Sequence, residues 1–294
     1  MDRRALVLDP AWQACRSPAV RAGVLALAGT FLPDPDLLLW DPPAEDAPAA
    51  AGVAALGPLA EGFRITLARL RHRRPDRVLL LGATCGAEAA PVAWLNERCG
   101  GDLAVVWCDA HGDLNRPEES PSGLFHGMIL RTLLGEGPAA YVGALRPPLR
   151  PAQVFPAGVR DLDPAERDWL RDQGVPVWPC AGRDDGLRLA GAIRAAGFTR
   201  AYLHLDVDVL DPERFAGALM ATPGGPSLEQ LAEFLGALVQ GLEVVGASVV
   251  EFDGHGPGSR EQVLDLLARS GLRGWWDGGL TAPAGSPPPP PSPG

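Results

Sequence analysis

The sequence predicts an α/β protein in which a mostly parallel sheet is covered by helices on both faces. Three observations carry this. Short apolar runs such as Arg77–Leu81, Leu103–Trp107 and Ala201–Leu205 lack the alternation of a half-exposed strand, so each reads as a strand buried on both faces. Segments with helical apolar spacing separate these runs, and that alternation is the pattern of a parallel sheet. Two of the runs also end in clusters of Asp and His, at the strand ends where such sheets carry their sites. At 294 residues the chain can build a substantial core, as one large domain or two small ones.

Residues 5–8 read as the first strand and 18–31 as an Ala/Leu/Val-rich helix, followed by a short strand at 37–40. Residues 41–57 mix Pro, Ala, Gly and acids without periodicity and read as loop. A helix over 58–73 places Leu59, Phe63, Leu67 and Leu70 on one side and arginines on the other. After the strand at 77–81 comes a helix at 88–98 and the strand at 103–108. Residues 114–125, rich in Pro, Ser, Glu and Gly, form a loop over the strand ends, and His126 opens a helix to about 135. A strand around 153–155 leads to a helix at 164–173, with Asp163 as N-cap and Pro164 in the first turn. Val175–Trp178 reads as a strand, 184–196 as a helix and 201–206 as another strand. Ser227 caps a helix with Leu228, Leu231, Phe234, Leu235 and Leu238 on one face. The last strand spans 244–251 and the last helix 258–270. Residues 1–278 form the folded part, and the tail 279–294, unbroken Pro from 287 to 291, is expected to be disordered or polyproline.

The net charge is −10 and no Lys/Arg-rich block is present, which argues against a nucleic-acid partner. Every one of the 26 basic residues is arginine. Met1-Asp2-Arg3-Arg4 runs into a short apolar strand without the long apolar core of a signal peptide. No apolar stretch approaches the roughly 18 residues of a membrane span. The five cysteines are scattered and show no Cys-x-x-Cys spacing, so neither a disulfide framework nor a zinc finger is expected. A reducing cytoplasm is the expected compartment.

The chemistry is concentrated at the two acidic strand ends. Asp109, His111 and Asp113 follow the strand at 103–108 at alternate positions, which in an extended chain project to one face. Such a group is a set of metal ligands or an acid/base cluster, or else a polar strand end facing solvent. Asp206 and Asp208 repeat the arrangement after the strand at 201–206. Like charges raise one another's pKa, so four clustered carboxylates need cations to ionise together. Two divalent ions would balance them, and hydrolases with such pairs hold the ions roughly 3.5–4 Å apart.

Four segments, in order, resemble signatures of the arginase (ureohydrolase) family: Asp109-Ala110-His111-Gly112-Asp113, Ser122-Gly123-Leu124-Phe125-His126-Gly127-Met128, Gly158-Val159-Arg160-Asp161-Leu162-Asp163-Pro164 and Asp206-Val207-Asp208-Val209-Leu210-Asp211-Pro212. The likeness runs from about residue 77 to about 270. It implies a single three-layer α/β/α domain with its site at the strands' carboxyl ends. It also implies that Asp109 and Asp206 bridge two Mn²⁺ ions, that His111 and Asp208 ligate one of them, and that Asp113 ligates the other. Oxygen-rich ligation with one imidazole suits manganese. By the same resemblance His126 transfers protons, Asp113 orients the attacking water and Glu251 holds a guanidinium. After Glu251, Phe252-Asp253-Gly254-His255 departs from the usual Asn-Pro continuation. Asn115, Ser122 and Asp163, with Glu166 and Thr222 near them, match positions that hold an amino acid's α-groups. A homo-oligomer is implied as well.

The main departure is Gly82-Ala83-Thr84-Cys85-Gly86, where the family usually has Gly-Gly-Asp-His and the histidine completes the metal site containing Asp113. Cysteine is softer and prefers zinc or iron to Mn²⁺. Cys85 is then a ligand of a weaker site, or the site is often empty, or the chain no longer catalyses. Natural-product amidinohydrolases of this resemblance act on N-hydroxyarginine, whose better-activated hydroxyguanidine would need less help from an altered metal. The expected activity is a manganese-dependent amidinohydrolase acting on arginine or a close analogue such as N-hydroxyarginine. The alternatives are an agmatinase-like or other guanidino-compound hydrolase, and a catalytically impaired protein that keeps the fold and binds arginine-like ligands.

Overall fold

The computed structural model describes residues 3–34, 36–42 and 46–278. The expected tail at 279–294 lies outside the described residues. Among the described residues seven strands form one sheet: β1 (Arg4–Asp9), β2 (Leu37–Leu39), β3 (Arg77–Gly82), β4 (Ala104–Cys108), β5 (Val154–Ala157), β6 (Arg200–Leu205) and β7 (Glu243–Val249). Their order is β2-β1-β3-β7-β6-β4-β5 and every neighbouring pair is parallel. The strands of the middle are buried on both faces, which is why their sequences are continuous apolar runs.

The two faces have separate helical covers. Leu79, Leu81, Val106, Leu203 and Val249 face one core, shared with α1 (Pro18–Ala28), α7 (Arg183–Ala195), α8 (Leu228–Gly241), α9 (Ser259–Arg269) and α10 (Leu272–Asp277). Val78, Leu80, Val105, Trp107 and Tyr202 face the other. That core is shared with α2 (Leu56–Arg73), α3 (Ala89–Arg98), α4 (Ile129–Leu133), α5 (Ala139–Val142) and α6 (Pro164–Gln173). The result is the three-layer α/β/α arrangement, in which period-2 alternation within each strand divides its side chains between the two cores.

Local signals behave as their chemistry requires. Ser227 Oγ accepts from Gln230 N at 3.2 Å while Gln230 Oε1 accepts from Ser227 N at 2.8 Å, a reciprocal cap for α8. Two local expectations are corrected, and two short helices were not anticipated. Val175–Trp178 is not a strand: only Trp178 bridges to Ala157, and Pro176 has no N–H to contribute to a ladder. The chain from His126 to about 135 is a 3₁₀ turn over His126–Met128 followed by α4. There Asp113 O accepts from Leu130 N and Arg131 N, so the preceding loop satisfies donors at the helix start. α5 was not anticipated, nor was α10, which begins after Gly271 turns the chain with φ 78°. Trp275 anchors α10 by donating from Nε1 to Val244 O at 2.8 Å.

Candidate metal centre

The central strands β4 and β6 lie side by side and deliver their acidic residues to the same end of the sheet. The ligand candidates sit just past the strands, in turns rather than in extended chain. Asp109 Oδ1 accepts from His111 N at 2.6 Å, and Asp206 Oδ1 accepts from Asp208 N at 2.7 Å. Each first aspartate thus folds its own turn, a geometry open to short carboxylate side chains. Asp206 N donates to Cys108 O at 2.9 Å and Asp208 Oδ1 accepts from Ala110 N at 3.1 Å, locking the two turns together. Strand alternation alone therefore does not aim these residues, and Asp113 is aimed by a left-handed backbone with φ 54°. Gly112 is required beside it: a Cβ there would lie 2.7 Å from Leu162 Cδ2 and 3.0 Å from Glu166 Oε1.

Two groups of donors result, each with its donor atoms within 4.8 Å of one another. The first is Asp109, His111 and Asp208, with His111 Nδ1 2.9 Å from Asp208 Oδ2 and 3.4 Å from Asp109 Oδ1. The second is Cys85, Asp109, His204 and Asp206. In it Cys85 Sγ lies 3.0 Å from Asp206 Oδ2, and His204 Nε2 lies 3.4 Å from Asp109 Oδ2. Asp113 belongs to neither group, although its charge bears on the Cys85 thiol. The donor chemistry fits divalent cations, and the buried Asp113 Oδ2 has no hydrogen-bond partner within the protein.

Electrostatics points the same way. Burial, then the charges of Asp208 and Asp109, pushes Asp206 well above the usual carboxylate range. Burial and Asp109 do the same to Asp113, and Asp208 is pushed up to about 6. Burial also opposes ionisation of Asp109, but hydrogen bonds from His111 and His204 outweigh it and hold that carboxyl below its ordinary range. Burial lowers His111 while its bonds to Asp109 and Asp208 raise it further, to about 12. The Cys85 thiol is pushed up by burial and by the surrounding carboxylates, Asp113 first. Asp206 and Asp113 would thus tend to keep protons unless a cation offsets the repulsion among the four carboxylates.

A cavity of about 120 Å³ opens onto both groups and is lined by Cys85, His111, Asp113, Asp206 and Asp208. His126 forms part of its wall, and its Nδ1 lies 3.2 Å from Glu251 Oε1. Burial would lower the His126 pKa, but the Glu251 charge overrides it and the net shift is upward. Glu251 is buried behind the wall with φ 60°, also accepts from Cys85 N at 3.1 Å, and leaves Oε2 without a partner. Asn115, Ser122, Asp163 and Glu166 line the cavity, together with Ser120 and Met220, which the sequence reading did not single out. Asn115 Nδ2 donates to Asp163 Oδ2 at 2.8 Å, and Asn115 Oδ1 is buried without a partner. Glu166 Oε1 and Oε2 accept from Leu114 N and Asp163 N, so this carboxylate ties the loop to the start of α6. Thr222 does not line the cavity: its hydroxyl donates to Met220 O at 3.3 Å.

Arg160, a member of a quoted motif to which no role was assigned, fastens the surrounding loops. Its guanidinium donates to the carbonyls of Gly158, Asp208, Thr222 and Pro223. His204 and Glu88 were also missed. The available signal for His204 was its parity, two residues before Asp206 on the same strand face.

Fold and site together define a class: a three-layer α/β/α protein with paired carboxylate, imidazole and thiol donors at the carboxyl ends of a parallel sheet. The particular family follows from comparison. A profile described as the arginase family matches residues 83–257, more than half the chain, and the chain belongs to that family. It is 34% identical over 175 residues to an arginase of Staphylococcus aureus (strain MRSA252), covering 56% of this chain and 58% of that protein. The chain thus matches only a little over half the length of that curated relative. Its fold is similar to that of Entamoeba histolytica arginase, solved in complex with L-ornithine, with a TM-score of 0.80 at 20% identity over 92% of this chain and 98% of that one. A formimidoylglutamase from Bacillus subtilis shares the fold with a TM-score of 0.70 at 17% identity over 94% of this chain and 87% of that one.

Proposed function

We propose that the protein is a metal-dependent amidinohydrolase that cleaves a C–N bond of a guanidino compound and releases urea or a urea derivative. The proposed substrate is arginine or a close analogue such as N-hydroxyarginine. The carrying observation is one cavity of about 120 Å³ lined by His111 and Asp208 of one donor group and Cys85 and Asp206 of the other, with His126, backed by Glu251, in its wall. Asp109, His111 and Asp208 would hold Mn²⁺, to which oxygen and imidazole donors are suited. Divalent ions here would act as Lewis acids and activate water near neutral pH.

The chain's own residues account for the rest of the reaction. A planar guanidinium pairs well with carboxylates, and Glu251 Oε2 is a buried acceptor with no protein partner. His126 carries the proton that the departing amine takes up, and Glu251 favours its protonated form. Asn115 Oδ1, also unpartnered, would accept from an ammonium group at the far end of the substrate, a group that arginine and its decarboxylated amine share. Family likeness adds a cytoplasmic homo-oligomer to the proposal. The test is a panel of arginine, N-hydroxyarginine, agmatine and guanidino acids, assayed for urea or hydroxyurea release with added Mn²⁺. Release from arginine or N-hydroxyarginine above agmatine supports the reading, and no release from any of them contradicts it.

A further inference from the structure

We infer that the second donor group is a sulfur-bearing metal site in which His204 is a ligand oriented by Glu88, and that it takes a zinc-class ion in preference to manganese. The inference rests on the two-ion reading above but not on the identity of the substrate.

His204 lies on β6 inside the apolar core, fully buried, with its ring stacked on Trp107 at a centroid distance of 3.5 Å and an interplanar angle of 10°. The stacking fixes the plane of the ring. Nδ1 is 2.7 Å from Glu88 Oε1, a charge-assisted hydrogen-bond distance. Glu88, also fully buried, is held in turn by the Tyr202 hydroxyl on its other oxygen. Burying a carboxylate beside an imidazole inside an apolar layer is costly unless both are fully engaged. Glu88 engages Nδ1, which leaves Nε2 as the group to be explained.

Nε2 points at the aspartate cluster but makes a poor hydrogen bond there. Its 3.4 Å separation from Asp109 Oδ2 exceeds the usual range of about 2.7–3.2 Å. That separation suits two ligands on one ion: metal–nitrogen and metal–oxygen bonds of about 2.0–2.2 Å at a tetrahedral angle put the donors about 3.4 Å apart. Cys85 Sγ and an Asp206 oxygen lie within 4.8 Å of the same donors, completing a set of one sulfur, one nitrogen and two oxygens. The carboxylate–histidine arrangement behind the ligand is a common device for setting the tautomer of a metal-binding imidazole. A thiolate with an imidazole selects zinc-class ions, whereas the neighbouring group with no sulfur suits manganese. The orphaned Asp113 Oδ2 beside this group is a second, independent sign that a cation belongs there.

The test uses the full chain, stripped of metal and reloaded with Co²⁺, a spectroscopic stand-in for zinc. The expected result is a near-ultraviolet thiolate-to-cobalt band that disappears in Cys85→Ser. Glu88→Gln, which keeps the imidazole, should weaken that ion by about 10–100-fold. His204→Gln should weaken it further and alter the visible cobalt bands, while the ion at Asp109, His111 and Asp208 remains. In competition, Zn²⁺ should displace Mn²⁺ from this position at lower concentration than from the other. A wild-type spectrum with no thiolate band overturns the inference, as do unchanged spectra and affinities in both His204→Gln and Glu88→Gln. Urea release is assayed alongside. A thiolate band without turnover upholds this site and removes the amidinohydrolase reading, and turnover with no band does the reverse.

Discussion

The two halves of the metal centre share Asp109 and the same sheet end, yet they are built differently. The half formed by His111 and Asp208 lies in the turns beyond β4 and β6 and borders the cavity, with the His111 side chain 24% exposed. The half formed by Cys85, Asp206 and His204 reaches back into the sheet, where His204 and Glu88 are fully buried. The first half is shaped by loop hydrogen bonds and solvent can reach it. The second is shaped by core packing, so a change of ligand there must be compensated by neighbours in the same core. The Glu88–His204–Trp107 stack beside Cys85 has the form of such a compensation.

The largest expected effect comes from Asp206, whose loss breaks the comparison by damaging both halves. Asp206→Ala removes the acceptor for Asp208 N and the partner of Cys85 Sγ. Elemental analysis should find less than one ion per chain, and turnover should fall to background. Chelation of the wild type should lower its melting temperature, since a ligand at 100 times its Kd stabilises the folded state by about 2.7 kcal/mol. An EDTA-insensitive melting curve would count against both halves.

Next is His126, on the wall between cavity and Glu251. His126→Ala should lower turnover by about 10²–10⁴-fold while metal content stays near that of the wild type. Parallel losses of metal and turnover would show that His126 holds the centre together instead.

A smaller effect is expected in the titration of His126. Glu251 holds its pKa above the ordinary value, so Glu251→Gln should move the NMR-detected midpoint downward. The sign in stability follows: the pair's contribution is present below the unfolded pKa and is lost as pH rises through the folded one. An unmoved midpoint would mean that Glu251 does not act on His126.

The smallest effect concerns Glu166, which serves the cavity's rim rather than either half. Burial raises it to about 7, so its ionised form is disfavoured in the folded protein and wild-type stability falls as pH rises from about 4.5 to about 7. Glu166→Gln should cost about 1 kcal/mol near pH 5 through a lost backbone bond. Urea denaturation should show that deficit shrinking by about pH 8, where the wild type bears its buried charge.

What could be read in the sequence divides along the same line as the two halves. The strands were visible because burial on both faces leaves continuous apolar runs, and Asp109, His111, Asp206 and Asp208 were visible because polar residues stand out at the ends of such runs. His204 was hidden by the same rule, since a lone histidine inside Ala201–Leu205 reads as part of a buried strand. Glu88 sits three residues after Cys85 in a tight turn, and only the tertiary pairing of β6 with β4 brings its histidine beside Asp109. Val175–Trp178 misled because its composition suits a strand while Pro176 prevents a ladder. Thr222 is held away from the cavity by loop bonds that local sequence does not encode.

The most direct measurement of the central claim joins metal stoichiometry to turnover in a single titration. Metal-stripped protein is titrated with Mn²⁺ and Zn²⁺, and urea or hydroxyurea release from arginine and N-hydroxyarginine is recorded at each step. The account predicts two ions per chain at saturation and release that appears only as ions are bound and vanishes on chelation. Release from stripped protein at the saturated rate, or saturation of metal binding without release from either compound, would contradict it.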